Sequence, residues 1–150
     1  MADNKSSELV LESFLPYRLS YLTNIISRKL ARLYSEQFDI NPHEWRILAN
    51  LTRYPNISAA KVGEKIAMDK VAVSRAIKSL CDMGLVHKVF SPEDRRRSVL
   101  NLTEEGRDIY HKIEPLVIAY EESLLTILDK GELSQLDHLL SKLTDHVATD

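Results

Sequence analysis

Asp94-Arg95-Arg96-Arg97-Ser98-Val99-Leu100-Asn101-Leu102-Thr103-Glu104-Glu105-Gly106 is the stretch on which the reading of the chain turns. Three consecutive arginines diverge along any backbone, so they cannot all pack inward. Residues 85–91 before them and 98–103 after them are rich in Val, Leu and Phe, and two such runs around a charged loop predict a β-hairpin. An arginine carried on a thin loop suits the narrow, negative minor groove of DNA. Asp94 stands just before the arginines and can orient one by a charge-assisted hydrogen bond. The ordinary alternative is a charged turn that only resists aggregation.

The residues upstream decide between the two. Ser58 can cap a short helix over about residues 59–67, and Asp69 a second over about 70–83 that Gly84 ends. Val62 and Ile66 face inward on the first, and Val73, Ile77 and Leu80, with Ala76, on the second. Lys70, Val71, Ser74, Arg75 and Lys78 fall outside that stripe. A short helix, a tight turn and a second helix bearing Lys and Arg match a helix-turn-helix whose second member enters a major groove. Arg75 has the rigid fork that pairs with a guanine edge, Lys70, Ser74 and Lys78 can hold phosphates, and Val71 can touch a thymine methyl. Any one of these residues alone reads equally well as a solvated face; the joint pattern is stronger.

The flanks are helical. Residues 9–15 form a short amphipathic piece expected to stop at Pro16. From Tyr17, Leu19, Leu22, Ile25, Ile26, Leu30 and Leu33 recur at helical spacing to about Phe38. Asn41-Pro42-His43-Glu44 predicts a helix start with a capping box, leading a helix with Trp45, Ile47, Leu48 and Leu51 to about Tyr54. After the hairpin, Ile109, Ile113, Leu116, Val117, Tyr120, Leu124 and Ile127 mark a long helix that Pro115 should kink. Asp129 and Glu132 predict a second capping box, ahead of Leu133, Leu136, Leu139, Leu140 and Leu143. The expected fold is mainly α with a small β-hairpin wing: a single domain over 1–150. Its lobe at 41–103 is a winged helix-turn-helix, and its N- and C-terminal dimerisation helices lie at 9–38 and 104–150. The terminal stripes exceed what a small core buries, which predicts a homodimer.

Net charge is −2, yet residues 58–98 carry nine basic and five acidic side chains and residues 104–150 carry four and eleven. A basic middle is what local attraction to phosphates requires. The single cysteine, Cys81, excludes an internal disulfide framework and fits a reducing cytoplasm; it reads as a tolerated small residue. No secretory signal is readable and no apolar run approaches a bilayer span, so a cytoplasmic protein without membrane contact is expected. His43, His87, His111, His138 and His146 form no metal-spaced set, and there is no Gly-rich phosphate loop. No metal, cofactor or enzymatic activity is expected.

Asp94-x-Arg96, five residues, then Leu102-Thr103-x-x-Gly106 resembles the wing signature of the MarR family of bacterial and archaeal regulators. Val73-Ser74-Arg75, Leu80 and Gly84-Leu85-Val86 match the same family, and the resemblance runs from about residue 15 to 145. It implies a homodimer with interlocked terminal helices and two winged lobes on one palindromic operator in double-stranded DNA. Arg75 falls where the family reads bases, Arg96 at the wing arginine of the minor groove, and Asp94 at its orienting partner. The resemblance also implies repression relieved by a small organic effector, often an aromatic acid. Tyr17, Arg18, Tyr21, His43, Trp45 and Arg46 lie near the junction of the first two helices, where rings stack on a planar acid and guanidinium pairs with the anion. Core or dimer packing is the better account of each of them taken singly. The competing reading of the whole is a winged helix used for protein contacts, without effector or DNA readout, in which three adjacent arginines have little purpose.

Overall fold

The computed structural model describes residues 8–94 and 96–149, so Arg95 lies outside the described residues. The elements are α1 (Leu15–Phe38), α2 (Pro42–Arg53), α3 (Ala59–Ile66), α4 (Lys70–Asp82), β1 (Val86–Phe90), β2 (Ser98–Leu102), α5 (Glu104–Leu125) and α6 (Lys130–Ala148). The fold is mainly α with one antiparallel hairpin, as the periodicity predicts.

Local chemistry sets most boundaries. Asn41 Oδ1 accepts from the Glu44 amide at 2.9 Å while Glu44 Oε2 accepts from the Asn41 amide at 3.0 Å, the full capping box expected for α2. Ser58 caps α3 through the Lys61 amide at 3.2 Å, and Asp69 caps α4 through the Ala72 amide at 2.9 Å. Gly84, at φ 73°, takes the left-handed turn between α4 and β1.

Two local expectations need correcting. Within 9–15 only Leu11–Ser13 forms a 3-10 turn, and Pro16 sits in the first turn of α1, where its missing N–H costs nothing, instead of closing the preceding piece. At α6, Asp129 Oδ1 accepts from the Glu132 amide at 2.8 Å, but among the described residues Glu132 returns no bond to the Asp129 amide, so the cap is one-way. The Glu132 amide holds the Asp129 carboxyl below its usual range.

The chain divides into two compact units, residues 1–113 and 114–150, and the division falls within α5. The first unit holds the buried core: Tyr34 of α1, Ile47, Leu48 and Leu51 of α2, Val62 of α3, Val73, Ile77 and Leu80 of α4, and Val86, Leu100 and Leu102 of the hairpin. Strand register is Val86↔Leu102 to Phe90↔Ser98, which puts Val86, Leu100 and Leu102 on one inward face. The start of α5 belongs to this unit for a steric reason. A methyl at Gly106 would run into the Leu85 carbonyl oxygen, Tyr110 stacks on Trp45 with centroids 5.3 Å apart, and Ile113 is fully buried.

The second unit comprises the rest of α5, from Glu114, and α6. Its described residues include no buried side chain, and Leu136, Leu139, Leu140, Leu143 and Val147 of α6 are all exposed. No helix among the described residues is long and apolar enough to cross a membrane.

Candidate nucleic-acid interface

The turn between α3 and α4 is three residues long and passes through Ala67 in the left-handed region at φ 51°. The stripe of Val73, Ala76, Ile77 and Leu80 buries the back of α4 against the core. Lys70, Val71, Ser74, Arg75 and Lys78 are therefore turned to solvent, with Val71 61% exposed. Among the described residues Lys70 and Arg75 make no hydrogen bond or ion pair, so both cations are available to a ligand. Lys78 differs: its Nζ lies 2.8 Å from Asp82 Oδ2, a bond that raises its pKa and that a phosphate would have to replace.

At the hairpin tip the Ser91 amide donates to the Arg97 carbonyl at 2.9 Å and the Arg97 amide to the Asp94 carbonyl at 3.0 Å. Asp94 Oδ1 accepts from the Arg96 backbone amide at 2.9 Å. Among the described residues no bond joins the Asp94 carboxylate to the Arg96 or Arg97 side chain. That carboxylate folds the turn as an Asx motif, and the Arg96 and Arg97 side chains are left exposed.

Ala59 and Ala60 at the start of α3 join these two cationic elements into one face. They wall a shallow groove shared with Lys70, Val73 and Ser74 on one side. On the other they wall a cleft of about 500 Å³ shared with Arg96 and Arg97. Their small side chains leave both grooves open. Nothing in the periodicity singled them out; two consecutive alanines after a capping serine were the only signal.

A second groove, about 510 Å³, opens between α1 and α2 and brings together two of the six candidate effector residues, His43 and Arg46. Arg28, Asn24 and Ser27 of α1 complete its polar wall. Arg46 Nη2 donates to Ser27 Oγ at 3.3 Å. Burial pushes the Tyr34 phenol above its ordinary pKa, and the nearby Arg46 partly offsets it. Arg28 was missed because the α1 reading followed the apolar stripe; Asn24, Ser27 and Arg28 mark a polar face at helical spacing. The other candidates lie elsewhere. Tyr17 and Tyr21 stack on each other at 6.2 Å on the exposed start of α1, Arg18 is exposed on the same turn of helix, and Trp45 is held between Tyr34 and Tyr110. Cys81 is half-buried, and burial raises its thiol pKa against the opposing effect of Lys88, which makes it a poor nucleophile.

A family model described as the MarR family matches residues 38–97, from the end of α1 to the hairpin tip. The crystal structure of a MarR/EmrR family transcriptional regulator from Acinetobacter sp. ADP1 is 30% identical, with a TM-score of 0.86 over 95% of this chain and 100% of that one. The chain belongs to the MarR family. It is a DNA-binding transcriptional regulator, not an enzyme. The multiple antibiotic resistance protein MarR of Escherichia coli is 24% identical over 93% of this chain and 98% of its own length. BpsR of Bordetella bronchiseptica, whose DNA binding is regulated by 6-hydroxynicotinic acid, shares the fold at 20% identity, with a TM-score of 0.81 over 92% of this chain and 98% of its own. In this MarR fold α3 and α4 form the helix-turn-helix and β1–β2 the wing.

Proposed function

We propose that this MarR protein represses transcription by binding a palindromic operator as a homodimer. The observation that carries the reading is that Lys70 of α4 and Arg96 and Arg97 of the wing line two grooves that share Ala59 and Ala60. Arg75 reads a base edge in the major groove with Val71 against a thymine methyl, while Lys70, Ser74 and Lys78 hold phosphates. Arg96 enters the minor groove, with Arg95 and Arg97 on the adjoining backbone and Asp94 keeping the turn folded. The exposed leucines of α6 and the apolar start of α1 (Leu15, Leu19, Leu22) form the dimerisation surfaces. Occluding a promoter is the regulation that a compact DNA-bound dimer exerts directly.

The effector is a small organic anion in the α1–α2 groove, paired with Arg28 and Arg46 and bonded by His43. The BpsR neighbour supports an aromatic acid as the class. A gel-shift salt series with charge reversal at Arg75 and Arg96 tests the central claim. Operator binding is expected to vanish in Arg75→Glu/Arg96→Glu while the dimer persists; unchanged affinity overturns it. Binding by the parent protein is expected to weaken steeply with salt.

A further inference from the structure

The wing is a two-stranded hairpin, and such a unit is marginal by itself. A probe on its tip is useful only if the root is held at a fixed angle to the recognition helix. The root is held by a contact of Asn101, one of the five residues that the family signature leaves unspecified. Asn101 of β2 and Asn56 of the α2–α3 loop bond to each other reciprocally. The Asn56 amide donates to Asn101 Oδ1 at 2.9 Å, and Asn101 Nδ2 donates to Asn56 Oδ1 at 2.6 Å. Next to it the Leu100 amide donates to the Ile57 carbonyl at 2.8 Å, an isolated bridge that makes the loop a third edge of the sheet. Asn56 takes the left-handed region at φ 58°, which turns its amide and side chain toward the strand.

We infer that Asn101 is a positioning residue for DNA binding: through Asn56 it sets the angle of the wing, and so the reach of Arg96, relative to the helix-turn-helix. This rests on the reading of Arg96 as a DNA probe. The same loop runs into Ser58, the cap of α3, so the clamp ties the wing to the first helix of the motif. Arg96 stands five residues before Asn101, three of them along β2 and two into the turn, so it lies at most roughly 15 Å from the root at about 3.3 Å per residue. A tilt of about 10° at the root moves the tip by up to roughly 2.5 Å, well outside the tolerance of a placed binding group. A carboxamide is needed at 101 because one donor and one acceptor are used. Aspartate there would set a carboxylate against Asn56 Oδ1.

The test is a double-mutant cycle on the full-length protein, with a duplex selected by the parent protein from a random-sequence pool and affinity read by fluorescence anisotropy. Arg96→Ala is expected to weaken binding about tenfold or more, and Asn101→Leu about five- to tenfold. Asn101→Leu is expected to cost clearly less in the Arg96→Ala background than in the parent protein, since only the backbone contacts of the neighbouring wing arginines are then left to displace. Asn101→Leu removes no charge, yet is expected to make the salt dependence shallower, in the direction of Arg96→Ala, because a displaced wing releases fewer counterions. Asn56→Gly is the second variant: glycine suits the φ, keeps the backbone donor and deletes only the side-chain acceptor. It is expected to show a smaller loss, again reduced in the Arg96→Ala background, with an unchanged melting temperature.

An Asn variant that weakens binding equally in both backgrounds overturns the clamp, and so does finding both variants silent while Arg96→Ala is impaired. Arg96→Ala binding as tightly as the parent protein removes the wing reading itself and the clamp with it.

Discussion

Replacing Leu139, Leu140 and Leu143 of α6 with glutamine should convert the protein to a monomer. The three side chains are 55%, 46% and 41% exposed, so each has about half its surface left to cover. Burying a whole leucine is worth about 1.5–3 kcal/mol, so the uncovered half is worth about 1 kcal/mol per side chain. Six such halves in a symmetric dimer amount to about 6 kcal/mol, an upper bound because a free chain already covers part of this surface. That corresponds to a dissociation constant raised by about four orders of magnitude. Glutamine keeps helix propensity close to that of leucine, so α6 itself should survive. Sedimentation equilibrium gives the constant and circular dichroism the helix content. A triple variant with unchanged helix content and a dimer constant within about tenfold of the parent value refutes the assignment of α6 to the interface. If the dimer is what binds the operator, the same variant loses operator affinity with α4 and the wing untouched.

Gly106→Ala drives a methyl into the Leu85 carbonyl oxygen and should destabilise the fold by about 2 kcal/mol, seen as a melting temperature lower by several degrees. Glu44→Ala strands the Asn41 amide and the Ser79 hydroxyl, which donates to Glu44 Oε1 at 2.7 Å; urea unfolding should show a loss of about 2–3 kcal/mol. Arg46→Ala should abolish the Trp45 fluorescence response to 6-hydroxynicotinic acid, used as an aromatic-acid probe, and should raise the Tyr34 phenol further in an ultraviolet titration. The Asp129 cap contributes above the unfolded carboxyl range near pH 4 and is lost as pH falls through the depressed folded value; Asp129→Ala should therefore lower the melting temperature at neutral pH but not at strongly acidic pH.

Most of the DNA lobe was legible because its elements are fixed by neighbours a few residues away. The Asn41, Ser58 and Asp69 caps, the Gly84 turn and the buried stripe of α4 each depend on three- or four-residue spacing. The exposed set Lys70, Val71, Ser74, Arg75 and Lys78 follows from that stripe by exclusion. Asp94 shows the limit: a carboxylate before arginines is compatible with a side-chain pair or a turn cap, and backbone geometry chose the cap for the described residues. Lys78 shows another, because four-residue spacing permits its pair with Asp82 but equally permits a free ammonium, and the side-chain rotamers decide between them.

Local order, helical or extended, and the polarity of each face were determined by the amino-acid sequence, since periodicity and capping act over a single turn of chain. What required tertiary structure was every association between distant segments. Ala59 and Ala60 meet both α4 and the wing, Asn56 meets Asn101 across 45 positions, and Arg28 joins His43 and Arg46 in one groove. Such contacts depend on how helices pack and where a loop returns, and no spacing along the chain encodes those distances directly.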